Sequence, residues 1–239
     1  MPMTLAVAAS ATVILVHGAF ADGSSWNRVI AGLQRDHVRV IAVQNPLTSL
    51  ADDVAATRRA IETASGPVIL VGHSWGGAVI SQAGDDPNVR ALVFVAAFAP
   101  DAGMSVNDLG RGARPPDWLK SAHVDSAGFI TLPQVTVETS FAQDLPKAEA
   151  DILASTQGPT AASAFDEKLG VAAWHFKPVW YVVASKDRMI PPAAEQAMAR
   201  AMHAHVIELP TSHVAMLAEP EQVVSVIEDA ISASEPRTQ

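Results

Sequence analysis

The chain has no cysteine among its 239 residues. That excludes a disulfide framework, a zinc–thiolate or iron–sulfur site and a cysteine nucleophile. Charge is also scarce: 17% of residues are Asp, Glu, Lys or Arg, against about 25% in an ordinary globular protein. The balance is acidic, formally −9, and no basic cluster occurs, so nucleic acid is not an expected partner. Long apolar runs are missing too. Val13–Val16 falls far short of the ~20 residues that cross a bilayer, and no Lys or Arg precedes Arg28, as a secretory signal would require. A cytoplasmic protein without membrane contact is therefore expected. Because 49% of residues are hydrophobic, disorder is excluded and one domain with a full core is expected over residues 1–239.

Short Val- and Ile-rich runs alternate with helical patterns, which is how buried parallel strands and their crossover helices read. Strands are expected at Val13–Val16, Val38–Val43, Val68–Val71, Ala91–Ala96, Val179–Ala184 and His205–Leu209. Helices are expected at Ser25–Arg35, Leu50–Ala64 (with Ser49 as N-cap), Gly76–Gly84, Ala193–Met202 and Glu221–Ala233. The alternation implies an α/β fold, a three-layer sandwich with a mostly parallel sheet of about six strands and helices on both faces. It breaks once, between about residues 100 and 177, where a strand period returns only over Phe129–Val137 and Pro146–Thr156 is the most helical stretch. Because the alternation then resumes, this segment reads as an insertion placed over the site, a lid, and not as a second domain. Ser234–Gln239 reads as a disordered tail.

The strand Val68–Val71 runs into Gly72-His73-Ser74-Trp75-Gly76-Gly77. This is G-x-S-x-G between a strand and a helix, the context in which a serine sits on a strained turn with small residues on either side. A serine hydroxyl becomes a useful nucleophile only when a base takes its proton. Partners in the order Ser, acid, His are expected in loops beyond later strands, and the sequence supplies Asp187 after Val179–Ala184 and His213 after His205–Leu209. Asp101, after Ala91–Ala96, is the rival position for the acid. His17 and His73 flank the glycine-rich turns and are expected to hold those loops by hydrogen bonds. Acyl transfer also needs donors aimed at the developing oxyanion. The N–H of Trp75 is the first; the loop His17-Gly18-Ala19-Phe20 is expected to give the second from Ala19, or else from Phe20.

The segments Val16–Ala19, Val71–Gly77, Val93–Asp101 and Ser212–Pro220 resemble the α/β-hydrolase superfamily, within it the plant methylesterase and hydroxynitrile lyase branch and a group of small bacterial hydrolases. The resemblance runs over about Val13–Val224 and is weak through the insertion. It implies an α/β-hydrolase fold and serine esterase chemistry on small carboxylic esters, with no cofactor. Two positions separate esterases from lyases in that branch: lyases carry Thr where this chain has Gly18, and Lys where it has Val214. A valine cannot donate a hydrogen bond or carry the charge that would hold released cyanide. Hydrolysis is thus the expected activity. Lyase or cofactor-free perhydrolase activity and a non-catalytic binding protein on the same scaffold are the alternatives.

Phe20, Trp118, Phe141 and Trp174 are expected to line an apolar substrate pocket. Lys147, Glu149, Asp151 and Glu167 read as a solvated face. A monomer or homodimer acting on a small-molecule ester completes the expectation.

Overall fold

The computed structural model describes residues 11–234. Most of the expected tail, 235–239, and the first ten residues lie outside that range. In chain order the elements are β1 (Thr12–Val16), α1 (Asn27–Arg35), β2 (Arg39–Val43), α2 (Leu50–Thr63), β3 (Val68–His73), α3 (Gly76–Ala83) and β4 (Val89–Val95). The segment after β4 carries β5 (His123–Val124), β6 (Phe129–Thr131), α4 (Lys147–Thr156) and β7 (Thr160–Ala161). The main pattern then returns with β8 (Val179–Ala184), α5 (Pro192–Ala201), β9 (His205–Leu209) and α6 (Pro220–Ser234).

Six strands form one parallel sheet in the order β2-β1-β3-β4-β8-β9. Every residue of β1, β3 and β8 is buried, because α1 and α6 cover one face, α2 and α3 cover β1 and β3 on the other, and α5 and α6 both pack on β8. The six expected strands and five expected helices are all present, with ends shifted by a few residues. Ser49 caps α2 by accepting the Asp52 N–H at 3.0 Å.

After β2 the chain crosses β1 to add β3, so the direction of winding reverses between β1 and β3. The C-terminal edge of a sheet at such a point is where α/β folds open a crevice for ligands. Register brings the loops there to one level: Val16 of β1 lies opposite both Val43 of β2 and Gly72 of β3.

Between β4 and β8 the chain builds its own antiparallel sheet, in the order β5-β6-β7. The strand expected over Phe129–Val137 stops at Thr131. Pro133, which has no N–H to give a ladder, starts a helical turn over Gln134–Thr136 that continues as a π-helical turn over Val137–Phe141.

Candidate active site

Ser74 follows β3 with φ +51°, a left-handed conformation unusual for a residue with a side chain. Its backbone is pinned: the N–H donates to Val95 O at 3.2 Å, and the carbonyl accepts from Gly77 N and Phe98 N at 3.0 Å each. Strain of this kind costs about 1–3 kcal/mol and persists only where surrounding bonds hold it. The glycines explain themselves sterically. A Cβ on Gly72 would lie 2.6 Å from Gly76 O, and one on Gly76 would lie 2.4 Å from Val16 O. The helix can start this close to β1 and β3 only without those side chains.

The loop after β1 closes on the serine. A Cβ on Gly18 would sit 2.7 Å from Ser74 Cβ, so any larger residue must push the two apart. His17 holds this loop: its Nε2 accepts the Asn45 N–H at 2.9 Å, leaving Nδ1–H to donate to Gly18 O at 2.8 Å. Burial holds the His17 imidazole below its ordinary range, which fits the neutral ring those two bonds require. Among the described residues, the N–H groups of Ala19, Phe20 and Trp75 donate to no other protein group. Phe20 has φ +59°.

His213 and Asp187 meet as the loops beyond β9 and β8 converge. Nδ1–H of His213 donates to Asp187 Oδ2 at 2.5 Å, and both side chains are buried. The other carboxylate oxygen, Oδ1, accepts from Met189 N at 2.6 Å and Ile190 N at 3.0 Å. A carboxylate held by two backbone donors cannot rotate, so it fixes the plane and tautomer of the ring. Nε2 is left as the basic nitrogen. The serine and histidine loops are tied by His73, whose Nε2–H donates to His213 O at 2.9 Å and whose ring centre lies 4.7 Å from that of His213. Burial first, then the neighbouring His213, holds His73 well below the ordinary histidine range, so it stays a neutral strut.

The rival acid stands elsewhere. Asp101 is half-buried near the surface and pairs with His175 Nε2 at 2.7 Å. That bond, ahead of any other cause, lowers its carboxyl.

Of the four expected pocket residues, three lie near this edge. Phe20 meets Trp118 edge-to-face at 5.9 Å, and the Trp118 indole donates to Met189 O at 3.0 Å. Phe141 is buried against the His213 ring at 5.2 Å. Trp174 is a correction. It donates to Pro100 O, lies tilted against the His175 ring at 3.8 Å and lines a surface cavity with Val179, His203 and His205. Val179 is the first residue of β8, and a chain entering a parallel strand must do so at the edge opposite the site. Trp174 therefore packs at the far end of the sheet.

The sequence reading also missed several groups. Gln143 Nε2 donates to Lys186 O at 2.7 Å and Asp144 Oδ2 accepts from Ser212 N at 2.6 Å, so two consecutive residues of the 100–177 segment clamp the acid and histidine loops. Glu167, read as solvated, accepts from Leu50 N at 3.1 Å and caps α2. Asp53 and Glu195 are fully buried carboxyls beside the elbow and beside Asp187. No motif marks either of them. Among the described residues, no group of three or more His, Asp or Glu is arranged to hold a metal ion, and no helix is long and apolar enough to cross a membrane.

A six-stranded parallel sheet with a glycine-flanked serine on a strained turn defines an α/β hydrolase. The family model described as the alpha/beta hydrolase family matches residues 13–226, and the chain belongs to that family, a hydrolase enzyme by class. It is 27% identical to a probable hydrolase, R7, of Phoma sp., over 90% of this chain and 96% of that one. It is 31% identical to a carbendazim hydrolyzing esterase of Nocardioides sp. over 45% of this chain and 50% of that protein. The fold matches an extracellular alpha/beta-hydrolase from a Paenibacillus species, described as sharing homology with tobacco salicylic acid binding protein 2. There the TM-score is 0.77 at 24% identity, covering 92% of this chain and 98% of the other.

Proposed function

We propose that the protein is a serine carboxylesterase for small carboxylic esters, using Ser74, His213 and Asp187 and no cofactor. The observation that carries this reading is one juxtaposition: a strained, hydrogen-bonded serine at the sheet edge, whose neighbour His73 is bonded to the loop of a buried imidazole that a carboxylate holds by Nδ1 at 2.5 Å. The similarity to a named esterase supports the same chemistry.

In the first half-reaction His213 Nε2 takes the Ser74 hydroxyl proton as Oγ bonds to the ester carbonyl carbon. The carbonyl oxygen becomes an oxyanion, held by the free N–H groups of Trp75 and Ala19, with Phe20 N–H the other donor within the same turn. His213 returns the proton to the leaving alcohol as the C–O bond breaks. Water, deprotonated by His213, then attacks the acyl-enzyme, and the carboxylic acid and free Ser74 result. Asp187 stabilises the imidazolium in both steps without taking its proton. The segment over residues 100–177 acts as a lid: its Gln143 and Asp144 hold the acid and histidine loops, and its Trp118 packs on Phe20.

Two positions weigh against cyanohydrin cleavage. Val214 is buried and apolar, and a threonine at position 18 would collide with Ser74 Cβ. The test is direct. Ser74→Ala should abolish turnover of a small chromogenic ester and labelling by a fluorophosphonate probe while the protein stays folded; retained turnover would overturn the assignment.

A further inference from the structure

Behind the Asp187–His213 pair lies a second carboxyl group that the proposed chemistry does not use. Glu195, in the first turns of α5, has no exposed surface. Its Oε2 accepts the N–H of Ala184, the last residue of β8, at 3.0 Å. Its Oε1 receives no hydrogen bond from any donor among the described residues. The carboxyl of Asp187 is the side chain that acts on Glu195 most strongly, by its charge and as a hydrogen-bond partner. Two carboxyl oxygens can meet in a buried site only if one carries a proton.

We propose that Glu195 is a neutral positioning residue: its Oε1–H donates to the Asp187 carboxylate while Oε2 accepts from Ala184 N, fixing the acid relative to the end of β8. This rests on Asp187 being the acid of the triad. Burial first, and the Asp187 charge second, push the Glu195 carboxyl far above the usual carboxylate range, which agrees with the geometry. The other titratable groups facing it give no cation to oppose this. Glu208 on β9 adds negative charge, and the buried Tyr181 hydroxyl is engaged with the backbone of Ala97.

The arrangement has a functional reason. His213 must be neutral at rest to accept the Ser74 proton, and one buried carboxylate suffices to stabilise it once charged. A second anion would hold a proton on the imidazole and remove the base near neutral pH. A protonated acid supplies a hydrogen bond without that charge. An amide has the same shape and the same donor–acceptor pattern, and alanine has neither.

Ester hydrolysis by wild type, Glu195→Gln, Glu195→Ala and Asp187→Asn, followed as kcat and KM against pH, tests this. Glu195→Gln should stay within ~threefold of wild-type kcat with the acid limb of kcat/KM unmoved. Glu195→Ala should lose ~tenfold or more in kcat at little change in KM. In infrared spectra at neutral pH, wild type should show a protonated-carboxyl C=O stretch that Glu195→Gln lacks. An acid limb displaced downward by about one unit in Glu195→Gln would make Glu195 an anion and overturn the proposal, as would the absence of that infrared difference. If Glu195→Ala does not fold, those two readouts decide alone. Wild-type kcat in folded Glu195→Ala, with Asp187→Asn inactive, would overturn the role of Glu195 and leave the triad standing. Full activity in Asp187→Asn would overturn both.

Discussion

The indole Nε1–H of Trp75 donates to Oδ2 of Asp53 at 2.7 Å inside the core. The second oxygen of Asp53 accepts the Leu47 N–H at 2.8 Å. One buried carboxyl thus ties the loop after β2 to the residue immediately after the elbow serine. Phe165 closes the other side of the indole at 5.1 Å.

Burial pushes the Asp53 carboxyl up to about 6, against the pull of those two hydrogen bonds. In the unfolded chain it would titrate near ~4. As pH rises through the window from about 4 to about 6, the unfolded chain gives up this proton first, and stability falls; above about 6 the loss is complete. Asp53→Asn cannot titrate, and its amide turns one N–H toward a donor, a cost of about 1–3 kcal/mol. The melting-temperature advantage of wild type over Asp53→Asn should therefore shrink between about pH 4.5 and about pH 7.5. A constant gap would show that Asp53 titrates alike in both states.

The two candidate acids should separate cleanly. Asp187→Asn reverses the hydrogen-bond demand on His213 Nδ1 and should lower kcat by ~10⁴. Asp101→Asn removes an exposed pair with His175, a contact worth ~1 kcal/mol at most, and should leave kcat within about twofold. Parallel initial-rate measurements on one ester decide between them.

Gly18→Ala brings a methyl group to 2.7 Å from Ser74 Cβ. The collision should cost about 1–3 kcal/mol of stability and at least ~tenfold in kcat, because the turn proposed to present the second oxyanion donor is displaced. Denaturant melts and steady-state rates on the same preparation check both effects; an unchanged kcat would show that this turn does not face the reacting carbonyl.

Trp118 and Trp174 should behave oppositely. Trp118→Ala frees Phe20 and should raise KM for bulky esters with kcat little changed. Trp174→Ala should leave KM alone and cost about 3–5 kcal/mol of stability as a large buried side chain. A KM effect from Trp174 would contradict its place at the entry of β8.

What could be read in advance depended on how local the determinant was. The six strands were legible because each is a short apolar run bounded by turn residues, and a sheet covered on both faces writes that pattern without help from its neighbours. Ser74 was legible because its glycines answer to clashes within five residues and with β1. His213 and Asp187 are suggested by their place after β9 and β8, and the structure brings these two side chains together. Trp174 was misplaced although its position five residues before Val179 held the clue, since a residue leading into a parallel strand cannot reach the edge where that strand ends. Asp53 and Glu195 were not legible at all. Each is defined by a partner on another element, Trp75 in one case and Asp187 in the other, and an acid on a helix looks the same in sequence whether it faces water or a carboxylate.

The strand order has a consequence for how the enzyme should fail. His213 hangs from β9, which pairs with β8 on one side and is the outermost strand of the sheet, while Ser74 hangs from β3 in the middle. Fraying of that border strand would carry His213, the proposed base, away from Ser74, the proposed nucleophile, while the central strands remain intact. Inactivation on mild heating should therefore precede the loss of helical ellipticity, and turnover becomes a sensor of edge opening more than of global unfolding.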